Sequence, residues 1–381
     1  MDHIYLDNAA TTQIQSEVVD CMTDILRDNY GNASSTHSFG RSSKAVLEQC
    51  RKNIAGFFNA QASEIIFTSG GTEADNLAMR SAVRDLGVKA IITTKIEHHA
   101  VLHTAEQLME EYGVQLYFVD LDADGQPRLD HLEELLSNHP KALVSLMHVN
   151  NEIGNILDLE AVGALCKTYN ALFHSDMVQS VGHFQLDVET LPIHFFAASA
   201  HKFHGPKGVG FCYVRRNSGL KPLIFGGEQE RGCRAGTESI HNIAGMDKAL
   251  QLAYDHLAKD KAYITELKAH FIAALKQEIP SIAFNGLSSD IDKSTYTLVN
   301  VRLPISAEKA LLLQFQLDLK GIACSKGSAC QSGSVGQSHV LKAILEEDQL
   351  QHPSLRFSFS VYNTKAELDT VVQVLKDFIN S

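Results

Sequence analysis

The sequence predicts an α/β fold, with a large domain built on a mostly parallel sheet and a smaller α+β domain towards the C-terminus. Between about residue 60 and residue 216, short apolar β-rich runs alternate with stretches of helical periodicity. This alternation is typical of βαβ units, which build parallel sheets. Beyond about residue 240 the pattern changes to long helical stretches separated by isolated strand-like runs, which indicates a second, smaller domain.

Seven runs are predicted as strands of the large sheet. In chain order they read EIIFTSG, AIITTK, VQLYFVD, ALVSLMHVN, LFHSDM, IHFFAASAH and GVGFCYVRR. Several are apolar almost throughout, as expected of strands that helices cover on both faces. Ligands of such sheets bind beyond the carboxyl ends of the strands. A site is therefore expected where these runs end, at 68–72, His98, 150–151, Asp176 and 199–202.

The C-terminal part is predicted as a smaller unit. Helical stretches over 240–257 and 262–275 lead to the strand-like TYTLVNVRL and the helical AEKALLLQFQL. A Ser/Gly-rich loop around Cys330, a strand LRFSFSVY and a terminal amphipathic helix follow. We therefore expect a large domain over residues 1–255 and a small domain over 256–381, with an N-terminal segment that could pack against the small domain.

Composition limits the classes of partner. The 381 residues carry a net charge of −12, which gives no general attraction to a phosphate backbone, so no nucleic-acid partner is expected. No run approaches the ~20 apolar residues of a membrane span, so no membrane partner is expected either. The opening MDHIYLDNAATT lacks the regions of a secretion signal. Seven scattered cysteines do not suggest a disulfide framework, so a reduced, cytoplasmic protein is expected.

The stretch ASAHKFHGPKGVG places Lys202 between His201 and His204 at the end of an apolar run. Lysine is among the residues least often buried without a partner. An amine nucleophile has to be unprotonated, and a site of low polarity near other cationic groups favours that state. The alternative is an ordinary exposed lysine, a role that Lys207 in the following GPKG turn already fills.

The stretch FTSGGTEADN ends a strand at Gly70 and Gly71 and opens a helix at Thr72. Small residues at a helix start leave backbone N–H groups exposed at the positive end of the helix dipole, which makes an anion site. The stretch has no P-loop lysine and does not complete a dinucleotide fingerprint. The alternative is a plain N-cap, which Ser69 or Thr72 would supply for any helix.

An aspartate and three histidines also follow predicted strands. Asp176 could hold a protonated ring nitrogen, or serve as a helix N-cap. His98 could stack on a ring and transfer protons, or be an ordinary core histidine. His99 and His103 have the i,i+4 spacing of a zinc pair, but no HExxH motif or further ligand completes a set, so no metal is predicted.

Cys330 lies in the Ser/Gly-rich stretch ACSKGSACQSGS. Small polar neighbours predict an exposed thiol that could act as a nucleophile on a moving arm. The alternative is a buried, inert thiol. A disulfide with Cys324 is a further alternative that nothing in the surrounding sequence supports.

Eight motifs occur in order along nearly the whole chain: TSGGTEADN, EHHAVL, MHVNNEIG, DMVQSVG, SAHKFHGPKG, RAGTES, GSACQS and LRFSFS. This set closely resembles the NifS/IscS-type cysteine desulfurases, which are pyridoxal 5'-phosphate (PLP) enzymes of aminotransferase class V. The opening YLDNAATT and the stretch GNASSTHSFGR fit the same family. The resemblance implies the PLP-dependent transferase fold type I, with a mostly parallel seven-stranded sheet in the large domain and a smaller α+β domain.

The resemblance implies roles around the cofactor, residue by residue. Lys202 would bind PLP covalently, Asp176 would pair with its ring nitrogen, and His98 would stack on the ring and move protons. Gln179 would donate to the ring hydroxyl. Thr237, in RAGTES, would hold the phosphate of the partner subunit, which implies a homodimer. Within the chain the phosphate would be held at two strand ends, by Gly71, Thr72, Ser199 and His201.

The resemblance also implies the substrate and the products. L-Cysteine would be held through its carboxylate by Arg356 and by Asn151, which also borders the cofactor, and Asn32 would close over that pocket. The Cys330 thiolate would take the sulfur as a persulfide, and L-alanine would leave. An iron–sulfur scaffold or another sulfur acceptor protein would then receive the sulfur.

Alternatives remain on the same scaffold. Selenocysteine lyase, another lyase or an aminotransferase would use the same cofactor, although transamination needs no thiol at Cys330. An inactive sulfur carrier is disfavoured by the intact cofactor residues. Two departures from the family stand out: residues 360–361 are Ser-Val where Gly-Arg is usual, and the chain ends at Ser381 where scaffold-docking members often extend further.

Overall fold

A computed structural model describes residues 3–326 and 338–381 of the chain. In these ranges one sheet has seven strands: β2 (Ile65–Thr68), β3 (Ala90–Thr93), β4 (Gln115–Phe118), β5 (Ala142–Ser145), β6 (Leu172–Asp176), β7 (Phe195–Ser199) and β8 (Gly210–Val214). Their order is β2-β8-β7-β6-β5-β3-β4. Neighbours from β7 to β4 pair in parallel, and β8 is antiparallel to both of its neighbours. Each predicted run forms one strand, and the predicted mostly parallel sheet is confirmed.

Burial separates the inner strands from one edge. All residues of β2, β3, β5, β7 and β8 are buried, as apolar strands covered on both faces should be. Strand β4 is half-exposed, because it forms the edge of the sheet beyond β3. The helices that cover the sheet or precede it in the chain are α1 (Ser16–Asp28), α2 (Ser38–Gly56), α3 (Gly71–Arg84), α4 (His99–Tyr112), α5 (Leu129–Asn138), α6 (Leu159–Thr168) and α7 (Ile240–Asp255).

The remaining elements lie in the C-terminal part of the chain. They are α8 (Leu257–Glu278), β9 (Ala283–Phe284), β10 (Leu298–Arg302), α9 (Ala307–Leu319), β11 (Ile322–Ala323), α10 (His339–Ile344), α11 (Glu347–Leu350), β12 (Ser354–Ser358) and α12 (Lys365–Asn380). Most of them build a second hydrophobic cluster, whereas α10 and α11 pack on Ile96 and Ile153 in a separate small cluster. Strands β12, β10 and β9 form an antiparallel sheet. Helix α8 is longer at both ends than the predicted 262–275, and its apolar face from Ile264 to Leu275 packs in the second hydrophobic cluster.

The N-terminal segment packs with these C-terminal elements. Strand β1 (Ile4–Tyr5) pairs in parallel with β11, and Ile4 and Leu6 belong to the second hydrophobic cluster. The division into domains 1–255 and 256–381 stays a prediction, which the separate clusters and the break between α7 and α8 support. None of the helices in the described ranges is long and apolar enough to cross a membrane.

Strand directions bring three chain segments to one edge of the large sheet. Because β8 is antiparallel to both β2 and β7, strands β2 and β7 point the same way, and β6 is parallel to β7. Their carboxyl ends, at Thr68, Asp176 and Ser199, therefore lie along the same edge. This edge is where ligands of open α/β sheets bind.

A buried ion pair anchors the segment after β8. Both terminal nitrogens of Arg51 donate to the Glu230 carboxylate, at 2.6 and 2.7 Å, and the backbone N–H of Phe67 donates to the same carboxylate at 2.9 Å. Glu230 and Arg231 have φ angles of 46° and 58°, a region that non-glycine residues rarely adopt. The pair therefore holds a strained turn against β2, just before Thr237.

We predict that Glu230→Gln lowers the free energy of unfolding by about 3–5 kcal/mol, because it removes the buried carboxylate that pairs with the Arg51 guanidinium. Urea denaturation of the apoprotein measures this. Glu48→Gln is the matched control, since Glu48 contacts Arg51 at 3.2 Å from a partly exposed position and should contribute about 1 kcal/mol or less. Equal losses in the two variants would show that the buried pair is not the anchor.

Candidate active site

A cavity of about 240 Å³ opens at the carboxyl edge of the large sheet. It is closed by Arg356 of β12 and by the N-terminal residues Ala9 and Ala10. The structure thereby brings together most of the residues singled out in the sequence. Those that line the cavity are Gly71, Thr72, His98, Asn151, Asp176, Gln179, Ser199, His201, Lys202 and Arg356.

Lys202 follows β7 and meets the N-terminal segment. Its Nζ donates to the carbonyl oxygens of Ala9 at 2.7 Å and Ala10 at 2.8 Å. The sequence predicts cationic neighbours around the Lys202 amine, but in the structure backbone carbonyl oxygens also contact it. The adjacent His201 ring lies 3.2 Å from the Thr11 hydroxyl, and burial, with Lys202 beside it, lowers the pKa of His201 to about 4. A neutral His201 ring places no positive charge beside the Lys202 amine.

Asp176 ends β6 at the wall of the cavity and is 5% exposed. One of its oxygens accepts the backbone N–H of Val178 at 2.9 Å. Burial raises the pKa of this carboxyl, and the charges of His98 and Lys202 act in the opposite direction. A cation placed in the cavity would favour the ionised carboxylate.

Asp75, which the sequence reasoning missed, also lines the cavity. It is 1% exposed, and burial together with the charges of Asp176 and Glu97 raises its pKa well above the usual range. His174 Nε2 lies 3.3 Å from an Asp75 oxygen, and its Nδ1 is 2.8 Å from the Ser145 hydroxyl. The spacing could have identified both residues. Asp75 is one helical turn after Gly71 and so shares its helix face, and His174 is two residues before Asp176 and so shares its strand face.

The turn between β2 and α3 has the geometry of an anion site. Gly70 occupies the N-cap position and no side chain caps the helix, so the alternative of a plain Ser or Thr N-cap is wrong. Gly70 has a φ of 154°, and a Cβ at Gly71 would lie 2.5 Å from a methyl carbon of Val178. Both glycines are therefore required for the backbone to border the cavity with its N–H groups.

The His98 side chain lines the cavity and caps helix α4. Its Nδ1 accepts the backbone N–H of Ala100 at 3.1 Å and so caps helix α4. In a neutral ring this contact assigns the proton to Nε2. The neighbouring His99 stacks on His103, with ring centroids 4.6 Å apart, and lies 4.3 Å from the His339 ring. Within residues 3–326 and 338–381, no group of three or more metal-ligating side chains is placed to hold an ion.

Arg356 reaches the cavity from the centre of β12 and is 1% exposed. One terminal nitrogen donates to the Asn151 carbonyl oxygen at 2.7 Å, and the other donates to an Asp7 carboxylate oxygen at 2.9 Å. Its Nε is buried and has no hydrogen-bond partner in the described part of the chain. A guanidinium has five N–H donors, so the group retains donors for an anion.

Glu152, also missed in the sequence, lies at the wall between Asn151 and the residues that follow position 337. It is fully buried, and one carboxylate oxygen accepts the Ser338 hydroxyl at 2.5 Å. Burial raises the pKa of Glu152. His339 lies 2.8 Å from the Glu97 carbonyl oxygen through its Nε2. Ser338 and His339 are therefore fixed to the cavity wall.

Two predicted site residues in the described ranges, Thr237 and Asn32, do not line this cavity. Thr237 borders a separate cavity of about 120 Å³, beside Arg234 and Glu238. Asn32 is exposed, and its side-chain oxygen accepts the Ser34 N–H at 2.8 Å. Cys330 lies outside the described residues. The roles given to these residues stay predictions.

Comparison with known proteins finds relatives over nearly the whole chain. The sequence profile of the class V aminotransferases matches residues 4–371. The cysteine desulfurase IscS of Dictyoglomus turgidum is 39% identical over 99% of this chain and 94% of its own. A solved NifS-like protein superposes with a TM-score of 0.90 at 32% identity, covering 100% of both chains. A structure of SspA in complex with cysteine has a TM-score of 0.79 at 31% identity, covering 95% of this chain and 100% of the other.

The fold and the profile match together define the class. The chain has the α/β fold of the NifS-like proteins, as the sequence predicts. It belongs to the class V aminotransferase family, and the resemblance to NifS/IscS-type cysteine desulfurases is confirmed.

We predict that Glu97→Gln makes the apoprotein increasingly more stable than the parent as the pH rises from about 4.5 to 8. Burial raises the pKa of Glu97 to about 8, so the folded state keeps a proton that the unfolded state releases near 4.5. A raised folded-state pKa gives stability that is lost as the pH rises, at no more than about 1.4 kcal/mol per pH unit. Glutamine keeps an oxygen for the Met147 N–H, which Glu97 accepts at 2.9 Å.

Urea denaturation at a series of pH values measures this difference. Glu110→Gln is the control, because Glu110 is an exposed residue of α4. A pH-independent difference between Glu97→Gln and the parent would contradict a protonated Glu97.

Proposed function

We propose that this protein is a PLP-dependent cysteine desulfurase, which converts L-cysteine to L-alanine and transfers the sulfur to its own Cys330 as a persulfide. One observation carries the proposal: a single cavity joins the Lys202 amine, the buried Asp176 carboxyl, the N-terminus of α3 and the Arg356 guanidinium. The desulfurase named among its relatives and the neighbour solved with cysteine support the same assignment.

The side chains of the cavity fit PLP by their chemistry. Lys202 offers the amine, Asp176 a carboxylate for the ring nitrogen, His98 an aromatic ring and Gln179 an amide for the ring hydroxyl. When bound, PLP supplies an electron sink for charge that develops on the substrate Cα. The phosphate would be held at the first turn of α3 and the end of β7, by Gly71, Thr72, Ser199 and His201.

The protein's own groups then bind the substrate and move protons. Arg356 holds the carboxylate of L-cysteine through a fork suited to bidentate contact, with Asn151 beside it. His98, with Nδ1 engaged in capping α4, accepts or donates a proton at Nε2. When Lys202 is not bonded to cofactor, the carbonyl oxygens of Ala9 and Ala10 hold its amine.

Sulfur transfer needs a thiolate. The Cys330 thiolate attacks the sulfur of bound cysteine and forms an S–S bond. The bond between Cβ and sulfur breaks, and its electron pair stays on Cβ. Protonation of that carbon gives L-alanine. A sulfur acceptor protein, such as an iron–sulfur scaffold, then takes the sulfur from the persulfide.

The proposed assembly is a cytoplasmic homodimer in which Thr237 of one subunit completes the phosphate site of the other. Thr237 borders a cavity distinct from the one that contains Lys202 of its own chain. Thr237 does not line the Lys202 cavity of its own chain, which supports a role in the site of a partner subunit.

The test incubates purified protein with PLP and L-cysteine and measures alanine and labelled persulfide. We predict that Cys330→Ala keeps the absorbance of bound cofactor. Its rate of alanine formation should fall about 100-fold or more, because the nucleophile is removed. Cys324→Ala is the matched control, because burial raises the pKa of Cys324 to about 12 and keeps it a thiol. Full turnover by Cys330→Ala, or loss in Cys324→Ala alone, would exclude Cys330 as the sulfur acceptor.

A further inference from the structure

We propose that Asp7 is a positioning residue for Arg356, so that recognition of the substrate carboxylate depends on the N-terminal segment 6–10. The proposal rests on the proposed function, in which Arg356 holds that carboxylate. Asp7 itself need not contact the substrate. It fixes the orientation of the guanidinium that does.

The contacts of Arg356 leave one side of the guanidinium available. Asp7 accepts from Nη2 at 2.9 Å, and the Asn151 carbonyl oxygen accepts from Nη1 at 2.7 Å. Nε has no hydrogen-bond partner in residues 3–326 and 338–381, although it is buried at the wall of the cavity. Two acceptors on different nitrogens fix both the rotamer and the plane of the fork. The remaining donors are thereby held ready for an anion.

Asp7 is itself fixed by its neighbours in the chain. The backbone N–H of Ser358 donates to the Leu6 carbonyl oxygen at 2.8 Å. The Ser358 carbonyl oxygen accepts from the Asn8 side chain, and its hydroxyl accepts from the Ala9 N–H, each at 2.8 Å. The residues on both sides of Asp7 are thus bonded to Ser358, two residues beyond Arg356 on the same strand. The backbone on both sides of Asp7 is therefore held against β12, which places the Asp7 side chain beside Arg356.

The same segment also meets the cofactor side of the cavity. The Ala9 carbonyl oxygen accepts from Lys202 Nζ at 2.7 Å and from the Gln179 side chain at 2.9 Å. Segment 6–10 therefore spans the cavity from the arginine to the lysine. Its position sets the spacing between the group that binds the carboxylate and the amine that faces the cofactor.

The Asp7 carboxylate could have the opposite effect and compete with the substrate carboxylate for the Arg356 guanidinium. Positioning is favoured because Asp7 contacts a single terminal nitrogen and leaves Nε without a partner. The Asp7 side chain is also 22% exposed and is not among the residues that line the cavity. A competitor would be expected to take the bidentate position.

The experiment compares Asp7→Asn and Asp7→Ala with the parent holoenzyme. We expect the KM for L-cysteine to rise about tenfold in Asp7→Ala and less in Asp7→Asn, which keeps an acceptor oxygen, with kcat within about twofold. The dissociation constant of PLP should stay within about twofold. Asp369→Ala is the matched control, since Asp369 is an exposed residue of α12 that contacts His270 and does not line the cavity, so this change should leave the kinetics unaltered.

A double-mutant cycle separates positioning from a general structural effect. If Asp7 acts through Arg356, Asp7→Ala adds no further rise in KM once Arg356→Ala is present. A lower KM in Asp7→Asn would establish competition, and a full additional penalty in the Arg356→Ala background would establish a structural effect. Either result overturns the proposal.

A binding measurement keeps this proposal separate from the proposed function. The dissociation constant of L-alanine, followed by the absorbance of the holoenzyme, should rise about tenfold in Asp7→Ala. Failure of the parent protein to make alanine would reject the proposed function. The affinity for L-alanine would still decide whether Asp7 orients Arg356, and an unchanged affinity would reject that role.

Discussion

Burial of the Asp176 carboxyl at the end of β6 is unfavourable unless a cation or a hydrogen-bond donor meets it. In the part of the chain that the structure describes, the backbone N–H of Val178 donates to this carboxylate. The charge of Asp176, together with burial, raises the pKa values of the neighbouring Asp75 and Glu97 carboxyls. These buried carboxyls avoid mutual repulsion when they keep their protons. A positively charged ring nitrogen beside Asp176 would stabilise the ionised Asp176 carboxylate instead.

The fold makes this arrangement possible by aligning strand ends. Parallel pairing brings the ends of β2, β6 and β7 to one edge, where the helix start at Gly71, the acid and the lysine converge. The N-terminal segment and β12 then close the opposite side of the cavity through Asp7 and Arg356. The proposed phosphate site at the start of α3 and the proposed carboxylate site at Arg356 are consequently at separate ends of the cavity, an arrangement that would orient a bound amino acid.

Much of this could be predicted from the sequence, for identifiable reasons. Apolar runs fix the parallel strands, and strand ends identify Lys202 and Asp176, because the period-2 and period-3.6 patterns are local. The pairings of Asp7 with Arg356 and of Glu152 with Ser338 join residues 349 and 186 positions apart. No local pattern reports such contacts. Asp75 and His174 were missed because polar residues inside a helix or a strand resemble solvent-facing positions.

The central claim is that the cavity holds PLP through the Lys202 amine. The most direct measurement reduces the PLP-loaded protein with sodium borohydride, digests it and locates the pyridoxyl group by mass spectrometry. The account predicts one labelled peptide, with the mass on Lys202, and no label after Lys202→Ala. A label on Lys207, or an equal label in Lys202→Ala, would contradict it.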